Sequence, residues 1–209
     1  MLIPAFFLPV LFWVLTKKGY HGAQEGKQYK RELYKMKYNK EVFSTLLQKQ
    51  KAVTVPASGL GIVVGNPDAQ HTLVKVCNPY CGPCAKAHKI IEELIHTKDV
   101  RVQIIFTASD DGNDIKALPV KHLMAIYKKG DPELIRRALD DWYNASVKDY
   151  ETFKAKYPLS EDDLEKEGGQ LTAMRTWCDG ADISFTPTFF VDGHQLPNLY
   201  TVKDLKHLF

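Results

Sequence analysis

The sequence predicts an α/β fold in which a helical insertion interrupts a sheet, preceded by an apolar amino-terminal helix. Three observations carry that expectation. An apolar run, Thr72-Leu73-Val74-Lys75-Val76, leads into Cys81-Gly82-Pro83-Cys84 and then a stretch of helical periodicity. A second β signal, Ile183 to Leu196, consists of two short runs joined by Asp192-Gly193, with Thr186-Pro187 at its entrance. Pro187 lies 106 positions after Cys81, and most of that distance reads as helix.

The elements follow in order. Gly61-Ile62-Val63-Val64 and Thr72 to Val76 are candidate strands, separated by the turn cluster Gly65-Asn66-Pro67-Asp68. A helix from about Gly82 to His96 presents Ile90, Ile91, Leu94 and Ile95, and Pro83 suits its first turn because the missing N–H would have no partner there. Val100 to Phe106 is the next strand. The insertion, about residues 113–178, reads as helices over Pro119–Lys129, Asp131–Ala145, Val147–Tyr157 and Ser160–Cys178. Asp131-Pro132-Glu133 supplies a cap and a first-position proline, and Ser160-x-x-Asp163 approximates a capping box. Leu134, Ile135, Leu139, Trp142 and Tyr143 are assigned to packing. Pro187 can begin a strand but cannot sit inside one. Thr201 caps a last helix with Val202, Leu205 and Leu208 on its apolar side.

At 209 residues, 44% hydrophobic and 25% charged, the chain has material for one full core and an appendage. The expected division is 1–16, 17–55 and 56–209. Leu2 to Thr16 carries no charge, yet its fifteen residues fall short of the ~20 that cross a bilayer as a helix. No basic stretch precedes it, and His21-Gly22-Ala23 is a poor small-x-small cleavage site, so a membrane anchor or the end of a transmembrane helix is expected over a signal peptide. A buried core helix is the competing reading. From Lys17 to Lys51 there are ten Lys or Arg against Glu25, Glu32 and Glu41, whereas residues 52–209 carry 18 basic and 22 acidic side chains. The segment Lys27 to Lys51 reads as a basic amphipathic linker helix with Tyr29, Leu33, Met36, Phe43, Leu46 and Leu47 on one side. It lies on anionic headgroups or serves as a solvated spacer. Nucleic acid is not an expected partner, because the domain itself is not basic.

Cys81 and Cys84 carry the chemistry. A thiol in the first turn of a helix meets unpaired N–H groups and the positive end of the helix dipole, which favours its thiolate. Cys81 is then the nucleophile toward a disulfide, and Cys84, one turn in, resolves the mixed disulfide. Two rivals use the same sulfurs. Zinc needs four ligands from Cys77, Cys81, Cys84, the distant Cys178 and scattered histidines. Cys77-x3-Cys81-x2-Cys84 has the spacing of the radical S-adenosylmethionine cluster loop, with Pro83 where those loops carry an aromatic residue. Cys77 and Cys178 read as packed free thiols or as a disulfide. His88, four residues after Cys84, is a proton relay or a packing residue.

With these residues the chain resembles the thioredoxin superfamily, on Cys81-Gly82-Pro83-Cys84 and on Thr186-Pro187 before the hairpin. The long insertion resembles that of the DsbA-like branch. The resemblance spans about residues 56–209. It implies a thioredoxin fold with the helical insertion between the central strand and the hairpin, and a cis Pro187 lying against the two sulfurs. It also implies substrate contacts from Thr186, Pro187 and Tyr80, protein thiols and disulfides as partners, and no metal or cofactor beyond the Cys81–Cys84 couple. A non-catalytic binding module on the same fold is the alternative. Gly82-Pro83 is the thioredoxin pair, which suggests a reducing couple near the ~−270 mV end of the scale. Lys75 stands where many relatives carry a buried acid that takes the resolving thiol's proton, so the resemblance names no proton acceptor here. The run Asn78 to His88 resembles the thioredoxin-like domain fused to bacterial vitamin K epoxide reductase homologues. That resemblance implies a membrane redox partner and an extracytoplasmic (periplasmic) domain, while the lysines after the apolar run favour a cytoplasmic side.

Overall fold

The chain enters as α1 (Ile3–Lys37) and α2 (Lys40–Gln48), then reaches β1 (Ile62–Gly65), β2 (His71–Cys77), α3 (Gly82–Thr97) and β3 (Val100–Phe106) in the computed structural model. It describes residues 3–209, with side chains at 9–13 and 24–209. The insertion follows as α4 (Ala117–Lys128), α5 (Pro132–Asn144), α6 (Tyr150–Lys156), α7 (Glu161–Glu165) and α8 (Gly168–Gly180). The chain closes with β4 (Thr188–Val191), β5 (His194–Gln195) and a 3-10 helix, Val202–His207. It divides into two compact units, one ending at Thr45 and the other spanning Leu46–Phe209.

The strands form one sheet in the order β1-β3-β2-β4-β5. β2 runs parallel to β3, with Val76 opposite Ile105, and α3 makes the crossover between them. β4 is antiparallel to β2, with Val76 opposite Thr188, and β1 is antiparallel to β3. β2 is therefore central, and its last five residues, Leu73 to Cys77, are all buried, as a strand covered on both faces requires. Its carboxyl end delivers the chain to the start of α3, which is where the two cysteines of the motif sit. The β4–β5 turn places Asp192 at φ 47° and Gly193 at φ 85°, the left-handed pair that a two-residue hairpin needs.

Four expectations are revised. The linker helix over Lys27–Lys51 is two helices: α1 runs on to Lys37, and Asn39 restarts the chain by accepting from the Glu41 and Val42 N–H groups at 2.9 and 3.1 Å. Its six apolar residues do not act as one face, since Tyr29, Leu33 and Met36 are exposed while Phe43 and Leu47 are buried. The helix expected over Ser160–Cys178 breaks between Glu165 and Gly168. There Glu167 is buried against Lys128 at 2.7 Å, and a Cβ on Gly168 would sit 2.2 Å from Asp110 Oδ2. The last element is a 3-10 helix, although Thr201 and Asp204 do form its capping box. Among the described residues no helix is long and apolar enough to cross a membrane. Much of the anchor expected at 1–16 lies outside the described residues and side chains.

Candidate active site

Local sequence builds the motif from its cap. Asn78 folds the loop by accepting from the Tyr80 N–H through its side chain at 2.9 Å and from the Cys81 N–H through its carbonyl at 3.1 Å. Cys81 is the N-cap of α3, in extended conformation, and its Sγ accepts from the Cys84 N–H at 3.4 Å. A sulfur in that place faces the open N–H groups of the first turn, which receive negative charge. Cys81 is partly exposed, with Gly82 and Pro83 open to solvent beside it, whereas Cys84 is 0% exposed. Burial and then the Cys77 sulfur push the Cys84 thiol up to about 12, so it stays protonated at neutral pH. All four cysteines are free thiols.

The hairpin entrance closes over this sulfur. The Thr186–Pro187 peptide is cis, and Cys81 Sγ donates to the Thr186 carbonyl at 3.5 Å. Beside it a groove of about 380 Å³ runs between Pro83 and Ile90 on one side and Phe185, Pro187 and Leu196 on the other. Phe185 is 59% exposed at its rim. Thus Cys81, Cys84, Gly82, Pro83, Thr186 and Pro187 come together.

Tyr80 is held differently. Its ring meets Trp142 edge-on at 5.5 Å, and the Trp142 indole N–H donates to the Pro79 carbonyl at 2.9 Å. The insertion therefore grips the loop before the motif through α5. His88 is 1% exposed and bonds Asp140 of α5 through Nε2 at 2.7 Å, while its ring stacks on Tyr143 at 4.9 Å. Burial, and next the Lys75 amine, bring its pKa down to about 4, so it is neutral at pH 7. Cys77 lies beneath, 3.0 Å from Tyr143 Oη, and burial raises its pKa. Burial likewise pushes Cys178 up to about 12. Cys77, Cys81 and Cys84 do not converge as ligands. Among the described residues the one group with ligand atoms within 4.8 Å of one another is His88, Glu92 and Asp140, and its Glu92 already pairs with Arg136 at 2.9 Å.

The family model described as Thioredoxin matches residues 57–209. The chain belongs to the thioredoxin family. Several solved structures share the fold. Oxidised BdbD from Bacillus subtilis is 15% identical, with a TM-score of 0.58 over 75% of this chain and 94% of that one. The thiol-disulfide exchange protein alpha-DsbA2 from Wolbachia pipientis is 14% identical, with a TM-score of 0.55 over 81% and 92%. A periplasmic thioredoxin-like protein from Salmonella enterica serovar Typhimurium is 14% identical, with a TM-score of 0.55 over 80% and 97%. No curated protein matches the chain. Within this thioredoxin-family site, sequence reasoning missed the grip of Trp142 on Pro79 and the partnerships of Tyr143 with Cys77 and Asp140 with His88. Their α5 positions carried only the signal of helix packing, because each partner lies more than fifty residues away.

Proposed function

We infer that this chain is a thiol–disulfide oxidoreductase acting on protein thiols and disulfides through Cys81 and Cys84. One observation carries the reading: an accessible sulfur capping a helix, with a buried protonated thiol one turn behind it and an extended peptide edge beside it. Cys81, as thiolate, attacks one sulfur of a substrate disulfide, and the other substrate sulfur leaves and takes a proton. The Cys84 sulfur then attacks the mixed disulfide, its proton departs, and the Cys81–Cys84 bond forms as the substrate's second thiol is released reduced. The reverse sequence oxidises a substrate dithiol. Direction follows from relative reduction potentials.

An extended substrate segment docks along Thr186 and Pro187 with an apolar side chain in the groove beside Phe185, and Tyr80, the residue before Cys81, adds a contact. The domain is assigned an extracytoplasmic location, supported by the periplasmic neighbour. A membrane redox partner of the vitamin K epoxide reductase type rests on residues 78–88 alone.

Reduction of insulin by dithiothreitol, followed as turbidity, tests the reading. Wild-type protein accelerates it and Cys81→Ser does not. Equal activity in the two proteins, or none in either, would leave a binding module on this fold as the better account.

A further inference from the structure

β2 carries one charged side chain into the core beneath the dithiol. Lys75 is 0% exposed, and its Nζ has no hydrogen-bond partner among the described residues. Nζ lies over the Tyr143 ring, 4.3 Å from its centroid. Packing does not require an amine here, since methionine has a similar reach, and burying an amine without an acceptor is unfavourable. The groups around it are largely settled. Cys77 lies on the same strand; Cys81, Cys84, His88 and Glu92 face it from α3 and its cap; Tyr143 faces it from α5. Behind these, Asp140 is bonded to His88 and Arg136 to Glu92, while Ile104 of β3 and Phe189 of β4 flank Lys75 in register. Burial drives the Lys75 amine below the ordinary lysine range, and negative charge on the cysteine sulfurs pulls it back. Of all these groups, the Cys81 sulfur is the one whose charge the redox cycle changes, since the Cys84 thiol stays protonated.

We propose that Lys75 is a buried proton carrier coupled to the dithiol, binding a proton when the Cys81–Cys84 disulfide is reduced and releasing it when the disulfide reforms. The proposal rests on the exchange function inferred above. With a thiol reductant, the disulfide, the neutral Lys75 amine and two reductant thiols give a Cys81 thiolate, a Cys84 thiol, a Lys75 ammonium and the reductant's own disulfide. Two electrons pass from the reductant sulfurs into the Cys81–Cys84 bond, which breaks, and the two protons go to Cys84 and Lys75. Lys75 acts on the sulfurs through space and is a positioning residue. Its ammonium, held in the core, offsets the charge left on the partly exposed Cys81.

The test is a pH titration of the full chain carrying lysine labelled with carbon-13 at Cε, followed by NMR in the dithiol and disulfide forms. Lys75→Met assigns the signal, with Lys75→Gln as the second choice if the first does not fold. The Lys75 midpoint is expected to lie at least about one pH unit higher in the reduced form, a tenfold gain in proton affinity. A Lys75 signal that titrates identically in the two forms would overturn the proposal. Insulin reduction on the same wild-type sample separates the two readings: turnover with a redox-insensitive Lys75 sinks the proton carrier alone, whereas no turnover sinks the exchange function and the carrier with it.

Discussion

Folding strips His88 of water, and the cost appears when acid is added. In the unfolded chain an ordinary histidine binds its proton near pH 6.5, whereas in the folded chain burial holds His88 to about 4. Between those values the unfolded state binds more protons, so stability falls as pH drops through the window, by on the order of 3 kcal/mol. Urea denaturation at pH 7 and pH 4.5 is expected to show that loss in the wild type and a smaller one in His88→Gln. Some slope persists in the variant because burial also depresses His122. Lys75 shows where reading by residue type stops. Its place in an apolar run was legible, and so was its departure from an acid. Its full burial against Tyr143 was not, because nothing near it in sequence announces a ring that arrives 68 positions later.

At the scale of elements, α5 does two jobs that its sequence shows unequally. Its start was legible: Asp131 accepts from the Glu133 and Leu134 N–H groups, both at 3.0 Å, ahead of Pro132. Asp131→Ala is expected to cost about 1 kcal/mol in chemical denaturation. Its grip on the motif loop was not legible, because the Pro79 carbonyl is a tertiary partner. Trp142→Phe keeps an aromatic in the packing but leaves that carbonyl unpaired, for an expected loss of about 1–3 kcal/mol. Slower insulin reduction in Trp142→Phe, at a pH and temperature where it remains folded, would tie the grip to the positioning of Cys81. The split of the Ser160–Cys178 segment has the same origin. Local propensity allows a helix to continue through Lys166, and the burial of Glu167 against Lys128 with the close approach of Asp110 to Gly168 ends it.

Across the whole molecule, the order of strands and helices was legible because β runs, caps and turn residues are local signals. The limits of the amino-terminal helices were not, since a single Asn39 cap decides them. Tyr29, Leu33 and Met36 of α1 are exposed, while Phe43 and Leu47 of α2 are buried. A chain of residues 39–209, keeping the cap and α2, is expected to melt within a few degrees of the full chain and to retain insulin reduction, as thermal circular dichroism and the turbidity assay would show. The unequal exposure of the two motif sulfurs has a practical result. On the exchange function proposed above, with Cys84 replaced by serine, whatever Cys81 captures has no second motif thiol to release it. Such a variant, expressed in the native host and recovered under non-reducing conditions, would arrive covalently joined to its physiological clients, turning the protein into a reagent for finding them.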